Sequence, residues 1–461
     1  MAGQVVNWLA TLVVIRLLSP ADYGVMAIAV IFISFFQLFS ELGLTPAVVQ
    51  VRNLDEDLLP DVFGATLAVT LLIMVLLYSG APLIGAFFDE PAVAAVIQVL
   101  SLQFVFIGFT VLPQALLQRG MHFRGWSLAG LGSNVANSAT TLALAWLGYG
   151  VWALVWGNLV GVGLQALVLN LIVRRLPFPR FRLGRVRHLI RYGGTLSLTR
   201  VMNFVSRKAD FFIIGKLLGK EALGLYSVAF NLAQMPMSRG FGVMNRIAFP
   251  AFSQLQLEPK RAGENYLKAI RLVSLFGVPV AWGMASVAGE AIPLILGPKW
   301  AGAIVPFQVL CLVLPLRMVS HLMAPMLQGM GRVDIGFWNV LRTTVAMLFA
   351  FPIGAQWGIV GVSLAWATAW PAVFLFNLGR SLPVIELTRR DLLGALLRSW
   401  LGGAFMVAVV ESFRGLAGPA MPVMATLVLA ILLGAFAYTA AVLTVNRAGA
   451  REVLDLARSG S

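Results

Sequence analysis

Charged residues are scarce in this sequence of 461 residues. Asp, Glu, Lys and Arg together make up 11% of it, whereas hydrophobic residues make up 59%. A soluble globular protein carries about 25% charged residues, because its surface must face water. Apolar runs recur along nearly the whole chain and leave no stretch polar enough for a soluble domain. The composition therefore predicts an integral membrane protein.

Cysteine and histidine are also rare, which excludes several kinds of site. The single Cys311 rules out a disulfide framework and a thiolate metal cluster within the sequence. The three histidines, His122, His188 and His321, lie too far apart to form a metal-binding motif. A Walker motif is absent as well, so direct use of ATP is not expected. We therefore predict no metal site, no cofactor and no enzymatic activity.

The basic residues outnumber the acidic ones and give a formal net charge of +15. Neither an aromatic RNA-binding motif nor zinc-finger spacing accompanies them, so a nucleic-acid partner is not expected. Most of the cations lie in short connections between apolar runs. The positive-inside rule places such cations on the cytoplasmic side of a membrane. If the amino terminus is cytoplasmic and the connections alternate, most connecting cations fall inside, and both termini are then cytoplasmic.

Apolar runs long enough to cross a bilayer, about 20 residues each, occur fourteen times. An all-α polytopic membrane protein with about fourteen transmembrane helices is the predicted fold class. The predicted spans are centred on residues 3–18, 24–43, 62–84, 93–113, 126–147, 151–173, 192–217, 223–245, 267–288, 303–325, 334–353, 358–379, 392–410 and 423–445.

The two halves of the chain echo each other. Residues 16–25 resemble residues 216–225 without a gap, and residues 117–121 resemble residues 327–331. Echoes in the same order at similar offsets indicate an internal repeat. Because the repeat unit holds six spans, both copies enter the membrane in the same direction and form a parallel repeat. The predicted domains are a first six-helix bundle at 1–173, a basic cytoplasmic linker at 174–191, a second six-helix bundle at 192–380, and two further helices with a short cytoplasmic tail at 381–461.

The linker at 174–191 contains arginines and no acidic residue. Anionic lipid headgroups attract such a segment by about 1 kcal/mol for each charge near the surface. We expect the linker to set the membrane topology by resting on anionic lipids. Recruitment of an anionic lipid-linked substrate is the alternative.

Several charged residues lie inside predicted spans. Arg200, Asn203, Arg207 and Asp210 follow a 3-4-3 spacing, which places them on one face of a helix. A charge at bilayer depth costs about 2.5–3.5 kcal/mol on insertion scales, so it usually faces a cavity or a partner. A structural ion pair between Arg207 and Asp210 is one interpretation, and a cationic lining for an anionic cargo is the other. The candidate substrate-binding residues are Arg200, Asn203, Arg207, Lys208, Arg239, Arg317 and Arg342, and the candidate ion-coupling acids are Asp210 and Glu41.

Polar and aromatic residues within the spans could contact sugars. Asn137, Ser138 and Thr141 are among those that could form hydrogen bonds. Trp338 and Trp366 are among those that could stack on sugar rings. Tryptophan is also common at membrane interfaces, and an interfacial belt is the alternative reading of these residues.

Several motifs resemble those of a known family. They are Leu17-Leu18-Ser19-Pro20-Ala21-Asp22-Tyr23-Gly24, followed by residues 38–44, 148–155, 214–227 and Gly297-Pro298-Lys299-Trp300. In these motifs the chain resembles Wzx-type polysaccharide flippases of the multidrug/oligosaccharidyl-lipid/polysaccharide superfamily, and among them most nearly the colanic- and teichuronic-acid export members. The resemblance implies transport of an undecaprenyl-pyrophosphate-linked oligosaccharide from the cytoplasmic to the periplasmic leaflet of a bacterial inner membrane. It also implies two six-helix bundles around a cavity that opens alternately to either side.

Other functions compete with this one. A drug/cation antiporter of the same superfamily should line its cavity with acids, whereas the deep charges here are mostly basic. A polysaccharide polymerase should carry a large periplasmic loop, and a glycosyltransferase a soluble domain or an acidic metal site. The expected partners are the lipid-linked anionic oligosaccharide, anionic membrane lipids and the polysaccharide polymerase machinery, and we expect the protein to act as a monomer.

Overall fold

The computed structural model describes residues 2–40, 56–174, 177–182, 201–417 and 421–445. Within these ranges the chain is helical and contains no strand, as the composition predicts. Glu41, Arg200 and most of the linker lie outside the described residues. Arg239 lies in a helix, but its side chain is outside the described part of the chain.

Backbone contacts divide the chain into two compact units, 1–224 and 225–461. The first unit therefore includes a helix at 201–217, which the predicted repeat assigns to the second bundle. The helices of the first unit are α1 (Ala2–Leu17), α2 (Pro20–Ser40), α3 (Leu59–Phe87), α4 (Pro91–Ser101), α5 (Gln103–Arg119), α6 (Phe123–Trp146), α7 (Val151–Val173) and α8 (201–217), and α9 (Gly219–Gln254) begins in it.

In its described residues the second unit contains most of α9 and nine further helices. Short 3-10 segments at Pro298–Ala303 and Leu382–Ile385 connect some of them. The helices are α10 (Pro259–Ser286), α11 (Ala288–Leu296), α12 (Ile304–His321), α13 (Met323–Gly329), α14 (Val333–Ala355), α15 (Gly358–Ala367), α16 (Ala369–Ser381), α17 (Arg389–Ala417) and α18 (Val423–Val445).

Ten helical stretches in the described part of the chain are long and apolar enough to cross a membrane. Of the remaining predicted spans, α1 has only 16 residues, and α6 contains several Asn, Ser and Thr side chains. The count of fourteen stays a prediction. The ten stretches are Pro20–Ser40, Leu59–Phe87, Pro91–Arg119, Val151–Val173, Pro259–Ser286, Pro298–Gly329, Val333–Ala355, Gly358–Ile385, Arg389–Leu416 and Val423–Thr444.

The Asp22 carboxylate accepts hydrogen bonds at the amino-terminal ends of two helices. Its Oδ2 accepts hydrogen bonds from the Ser19 backbone N–H (3.0 Å) and the Ser19 hydroxyl (2.6 Å), a capping arrangement at the start of α2. Its Oδ1 accepts the backbone N–H of Val151 (2.9 Å), the first residue of α7. Gly150, with φ of 56°, precedes Val151, and a Cβ at Gly150 would lie 2.9 Å from Asp22 Oδ1. The Asp22 carboxylate therefore joins two of the motifs in which the chain resembles its family.

Helices α2 and α9 cross at two glycines. A Cβ at Gly24 would overlap the carbonyl oxygen of Lys220, and a Cβ at Gly224 would overlap that of Pro20. Gly24 and Gly224 hold the same position in the sequence echo, and so do Pro20 and Lys220. The crossing is therefore reciprocal, and it requires glycine because the two backbones are in contact.

The turn at 116–122 in the first unit and the turn at 326–332 in the second share their hydrogen bonds. In each turn, the N–H groups of the last three residues donate to the carbonyls of the first three residues at equivalent positions. The distances are 2.9, 3.1 and 2.9 Å in the first turn and 2.9, 3.1 and 2.8 Å in the second. Met121 and Gly331, at matching places, both have positive φ, 57° and 71°. These turns contain one of the sequence echoes and support the predicted repeat.

The connection between α3 and α4 is attached to α8 and the start of α9. Asp89 pairs with Lys216 at 2.9 Å, and Glu90 pairs with Lys220 at 2.6 Å. The Phe88 ring packs against Phe212, with ring centroids 5.5 Å apart. Two ion pairs and an aromatic contact thus hold this end of the first unit together.

Candidate functional site

Arg342 on α14 faces α16 in the second unit. Its Nη1 donates a hydrogen bond to Oδ1 of Asn377 (3.3 Å). Its guanidinium lies 5.9 Å from the ring centroid of Trp338 and 5.8 Å from that of Phe376. On the other side of the α16 turn, the Arg380 guanidinium lies 5.9 Å from the same Phe376 ring. One exposed aromatic ring therefore has two arginines beside it.

Hydrogen bonds to α14 orient the Asn377 side chain. Its Nδ2 donates to the backbone carbonyl of Asn339 (3.3 Å) and to the Thr343 hydroxyl (3.4 Å). Asn339 in turn donates from Nδ2 to the Ser381 hydroxyl (2.9 Å). Since Nδ2 of Asn377 is occupied by α14, its Oδ1 points to Arg342. Asn377 is buried, and the hydrogen bonds fix the direction in which Arg342 is held.

A cavity of about 830 Å³ opens beside this arginine. Volumes of about 300–1,000 Å³ are typical of sites that bind small ligands. Apart from the two arginines, the cavity walls are apolar or aromatic. The lining residues are Trp338, Leu341, Arg342, Val345, Ala346, Ala372, Val373, Phe376 and Arg380.

Arg317, on α12, is 9% exposed and surrounded by aromatic rings. Its guanidinium lies 4.2 Å from the ring centroid of Trp366 and 5.5 Å from that of Phe230. The indole N–H of Trp366 donates to the Tyr226 hydroxyl (3.0 Å), which fixes the ring. A desolvated cation–π contact contributes about 2 kcal/mol or more, so the rings offset part of the cost of burying this charge. Arg317 is thus a deep cation held in an aromatic cage within the second unit.

The predicted cationic face of α8 lies in the first unit. Arg207 is exposed, Asn203 is half-buried, and Asp210 is 1% exposed. Asp210 accepts the backbone N–H of Phe211 at Oδ1 (2.9 Å), and the Lys208 ammonium lies 4.7 Å from the Phe211 ring. The face therefore runs from an exposed arginine to a buried acid. The roles predicted for these four residues stay predictions.

Two further features of the structure bear on the candidate site: the position of Arg380 and a small polar pocket in the first unit. Arg380, a basic residue in the last turn of α16, lines the same cavity as Arg342. Asn137, Ser138 and Thr141, predicted as sugar contacts, line a pocket of about 190 Å³ in the first unit together with Tyr23. Spacing along α6 could indicate the three polar residues, whereas Arg380 belongs to the cavity only because α14 packs beside α16.

A model of the family described as polysaccharide biosynthesis protein matches residues 13–305, more than half of the chain. The chain belongs to this family. The match confirms the resemblance to Wzx-type flippases that the motifs predict, and the relatives agree with it. The protein is a multi-pass helical membrane protein of polysaccharide biosynthesis.

Three relatives show how far the similarity extends. The lipopolysaccharide biosynthesis protein WzxC of Escherichia coli (strain K12) is 26% identical over 356 residues, 76% of this chain and 72% of WzxC. The succinoglycan biosynthesis transport protein ExoT of Rhizobium meliloti (strain 1021) is 25% identical over 448 residues, 96% of this chain and 90% of ExoT. The teichuronic acid biosynthesis protein TuaB of Bacillus subtilis (strain 168) is 25% identical over 351 residues, 75% of this chain and 72% of TuaB.

Two solved structures have a similar fold. The lipid II flippase MurJ in an inward closed conformation matches with a TM-score of 0.77 and 16% sequence identity, covering 95% of this chain and 97% of MurJ. An inward-facing multidrug resistance MATE family transporter of the MOP superfamily matches with a TM-score of 0.65 and 17% identity, covering 84% of this chain and 96% of the transporter. At these identities the similarity shows the fold alone.

Proposed function

We propose that the protein is a flippase that moves an undecaprenyl-pyrophosphate-linked oligosaccharide from the cytoplasmic to the periplasmic leaflet by alternating access. The observation that carries this proposal is Arg342, a predicted deep cation that lies on an 830 Å³ cavity beside Arg380. A pyrophosphate loses water when it enters the membrane and needs fixed cations in place of that water. Arginine suits this role because its planar fork bonds phosphate oxygens in pairs.

We infer the same layout that the sequence predicts for the rest of the protein. The chain forms two parallel six-helix repeats at 1–173 and 192–380, and both termini are cytoplasmic in the inner membrane. The matched turns at 116–122 and 326–332 and the reciprocal Gly24–Gly224 crossing support the repeat. The protein acts as a monomer and as a transporter rather than an enzyme.

The membrane potential supplies a driving force for this direction. Moving one negative charge outward from a negative interior gains about 2.3 kcal/mol per 100 mV. A doubly charged headgroup gains twice that amount. Coupling to a proton or sodium ion needs a buried acid, and of the two predicted candidates, Asp210 and Glu41, Asp210 lies among the described residues and is buried. A drug/cation antiporter would need acids instead of Arg342 and Arg380 beside its cavity.

A flipping assay in proteoliposomes with a defined lipid-linked oligosaccharide tests the proposal. We expect the wild-type protein to transport the substrate, and an imposed potential to accelerate it. We expect Arg342→Gln to lower the rate about tenfold, the effect of one lost charge-assisted hydrogen bond. Arg398→Gln is the matched control, since Arg398 is an exposed arginine of α17 outside the cavity. Absence of transport by the wild type contradicts the proposal. Equal rates for the two variants would remove Arg342 from the phosphate contact and leave the function standing.

A further inference from the structure

A second cavity, of about 480 Å³, continues the first along the seam between α14 and α16. Trp338, Arg342 and Arg380 line both cavities, so the two are adjacent. The second cavity extends toward the start of α14 and the 3-10 segment after α16. Its lining residues are Arg332, Asp334, Ile335, Trp338, Arg342, Arg380, Pro383 and Val384. We call the two cavities together the α14–α16 groove.

The chemistry of the groove changes in order along its length. The end deepest in α14 is apolar and is formed by Leu341, Val345, Ala346, Ala372 and Val373. The middle has two arginines, Arg342 and Arg380, beside an aromatic ring. The far end is polar and contains Arg332 and Asp334. From residue 334 to residue 346 the helix rises about 18 Å, at about 1.5 Å per residue.

The polar end offers both donors and acceptors. Arg332 donates from Nε to Oδ1 of Asp334 and from Nη2 to Oδ2, both at 3.2 Å, and both side chains are exposed. This hydrogen bonding raises the pKa of the Arg332 guanidinium above its usual value. Trp338, 51% exposed, adds an aromatic face next to the pair. Sugar hydroxyls need donors and acceptors together, and an aromatic ring can cover the apolar face of a sugar.

We propose that the α14–α16 groove binds a polyprenyl-pyrophosphate saccharide lengthwise. The apolar chain lies against Val345 and Val373, the pyrophosphate against Arg342 and Arg380, and the first sugars against Trp338 and the Arg332–Asp334 pair. This inference rests on the proposed function and adds a location and an orientation for the cargo. The ligand consists of an apolar chain, then a pyrophosphate, then sugars. The groove presents an apolar, a cationic and a polar surface in the same order. A bulk anionic phospholipid shares the first two groups and lacks the third.

Binding measurements by native mass spectrometry on the purified full-length protein test the groove. The probes are undecaprenyl pyrophosphate, the same lipid carrying a disaccharide, and phosphatidylglycerol. We expect R342Q/R380Q to weaken both pyrophosphate ligands about a hundredfold, because each arginine loses one charge-assisted hydrogen bond and each loss is about tenfold. We expect R332Q and D334N to weaken only the ligand that carries the disaccharide. R398Q should bind all three probes like the wild type.

Folding is checked by the thermal transition of each variant. If R342Q/R380Q fails to fold, R380Q alone is used, because the Arg380 side chain is exposed and its loss removes one of the two phosphate contacts. Unchanged pyrophosphate binding by a folded arginine variant overturns the inference. The inference is also overturned if phosphatidylglycerol binds the wild type as tightly as the pyrophosphate lipids and displaces them. The groove would then be a site for bulk lipid.

Transport separates this inference from the function on which it rests. If the wild type flips the lipid-linked disaccharide and R342Q/R380Q flips it equally well, the groove is wrong and the function stands. If the wild type binds the ligands in the expected pattern and flips none of them, the function is wrong and the binding site stands.

Discussion

Replacement of Asp22 tests whether one carboxylate joins two helices. The carboxylate caps α2 through Ser19 and also accepts the first N–H of α7 at Val151. Loss of a helix cap costs about 0.5–2 kcal/mol. A buried N–H left without its acceptor costs about 1–3 kcal/mol. Since Asp22 is half-buried, we expect Asp22→Ala to lower the free energy of unfolding by about 2–4 kcal/mol.

The chain offers a matched control in the second unit. At the start of α17, Asp391 accepts the backbone N–H (2.8 Å) and the hydroxyl (2.6 Å) of Thr388, the same cap that Asp22 forms with Ser19. Within the described residues, the exposed Asp391 caps only its own helix. Asp391→Ala should therefore lower stability less than Asp22→Ala does. Asp22→Asn should fall between, because its amide retains one oxygen acceptor out of two.

Titration with SDS in mixed micelles, followed by tryptophan fluorescence, gives the free energy of unfolding for each variant. The difference between the two alanine variants reports the bond to Val151. Equal losses at Asp22 and Asp391 would refute the reasoning, because the bond between Asp22 and α7 would then contribute nothing. Ser19→Ala, which removes only the hydroxyl of the α2 cap, should resemble the Asp391 variant.

Three other outcomes follow from particular contacts. Gly24→Ala should destabilise the protein by about 1–3 kcal/mol through overlap with a backbone carbonyl, whereas Gly80→Ala, where a Cβ meets nothing within 4 Å, should be neutral or stabilising in the same SDS titration. Cysteines introduced at Asp89 and Lys216 should be joined by a short bifunctional thiol reagent, seen as protection from a second thiol label. Free labelling of both would contradict the proximity of the two positions. Tyr226→Phe should lower stability by about 1–3 kcal/mol, because a buried indole N–H loses its acceptor, and an unchanged unfolding curve would exclude that role.

The membrane class and the family could be predicted from the sequence because both depend on local patterns. Long apolar runs make helices wherever the backbone must satisfy its own hydrogen bonds, and the Ser19–Asp22 spacing makes a cap without tertiary help. The arginines of the α14–α16 groove were harder to place. Arg342 was evident as a charge inside a span, but Arg380 near the end of α16 has the same sequence context as any topology signal.

The burial of Asp61 also could not be predicted from the sequence. Asp61, in the first turn of α3, is 1% exposed, although its position after a connecting segment indicates a solvated residue. Nearby, the backbone N–H of Arg180 in the linker bonds to the Pro60 carbonyl (2.9 Å) at the start of α3. Single-sequence patterns report periodicity and spacing along one helix, and contacts between distant segments leave no such pattern.

The crossing of α2 and α9 has the contact pattern of a symmetric dimer. In an isologous interface, residue i of one subunit meets residue j of the other, and j meets i in return. Gly24 meets Lys220 and Gly224 meets Pro20, with equivalent residues exchanged between the two halves of one chain. A half-length chain could form the same helix crossing with a second copy of itself. Fusion of the halves frees each copy to change, and the α14–α16 groove of the second unit shows how such freedom can be used.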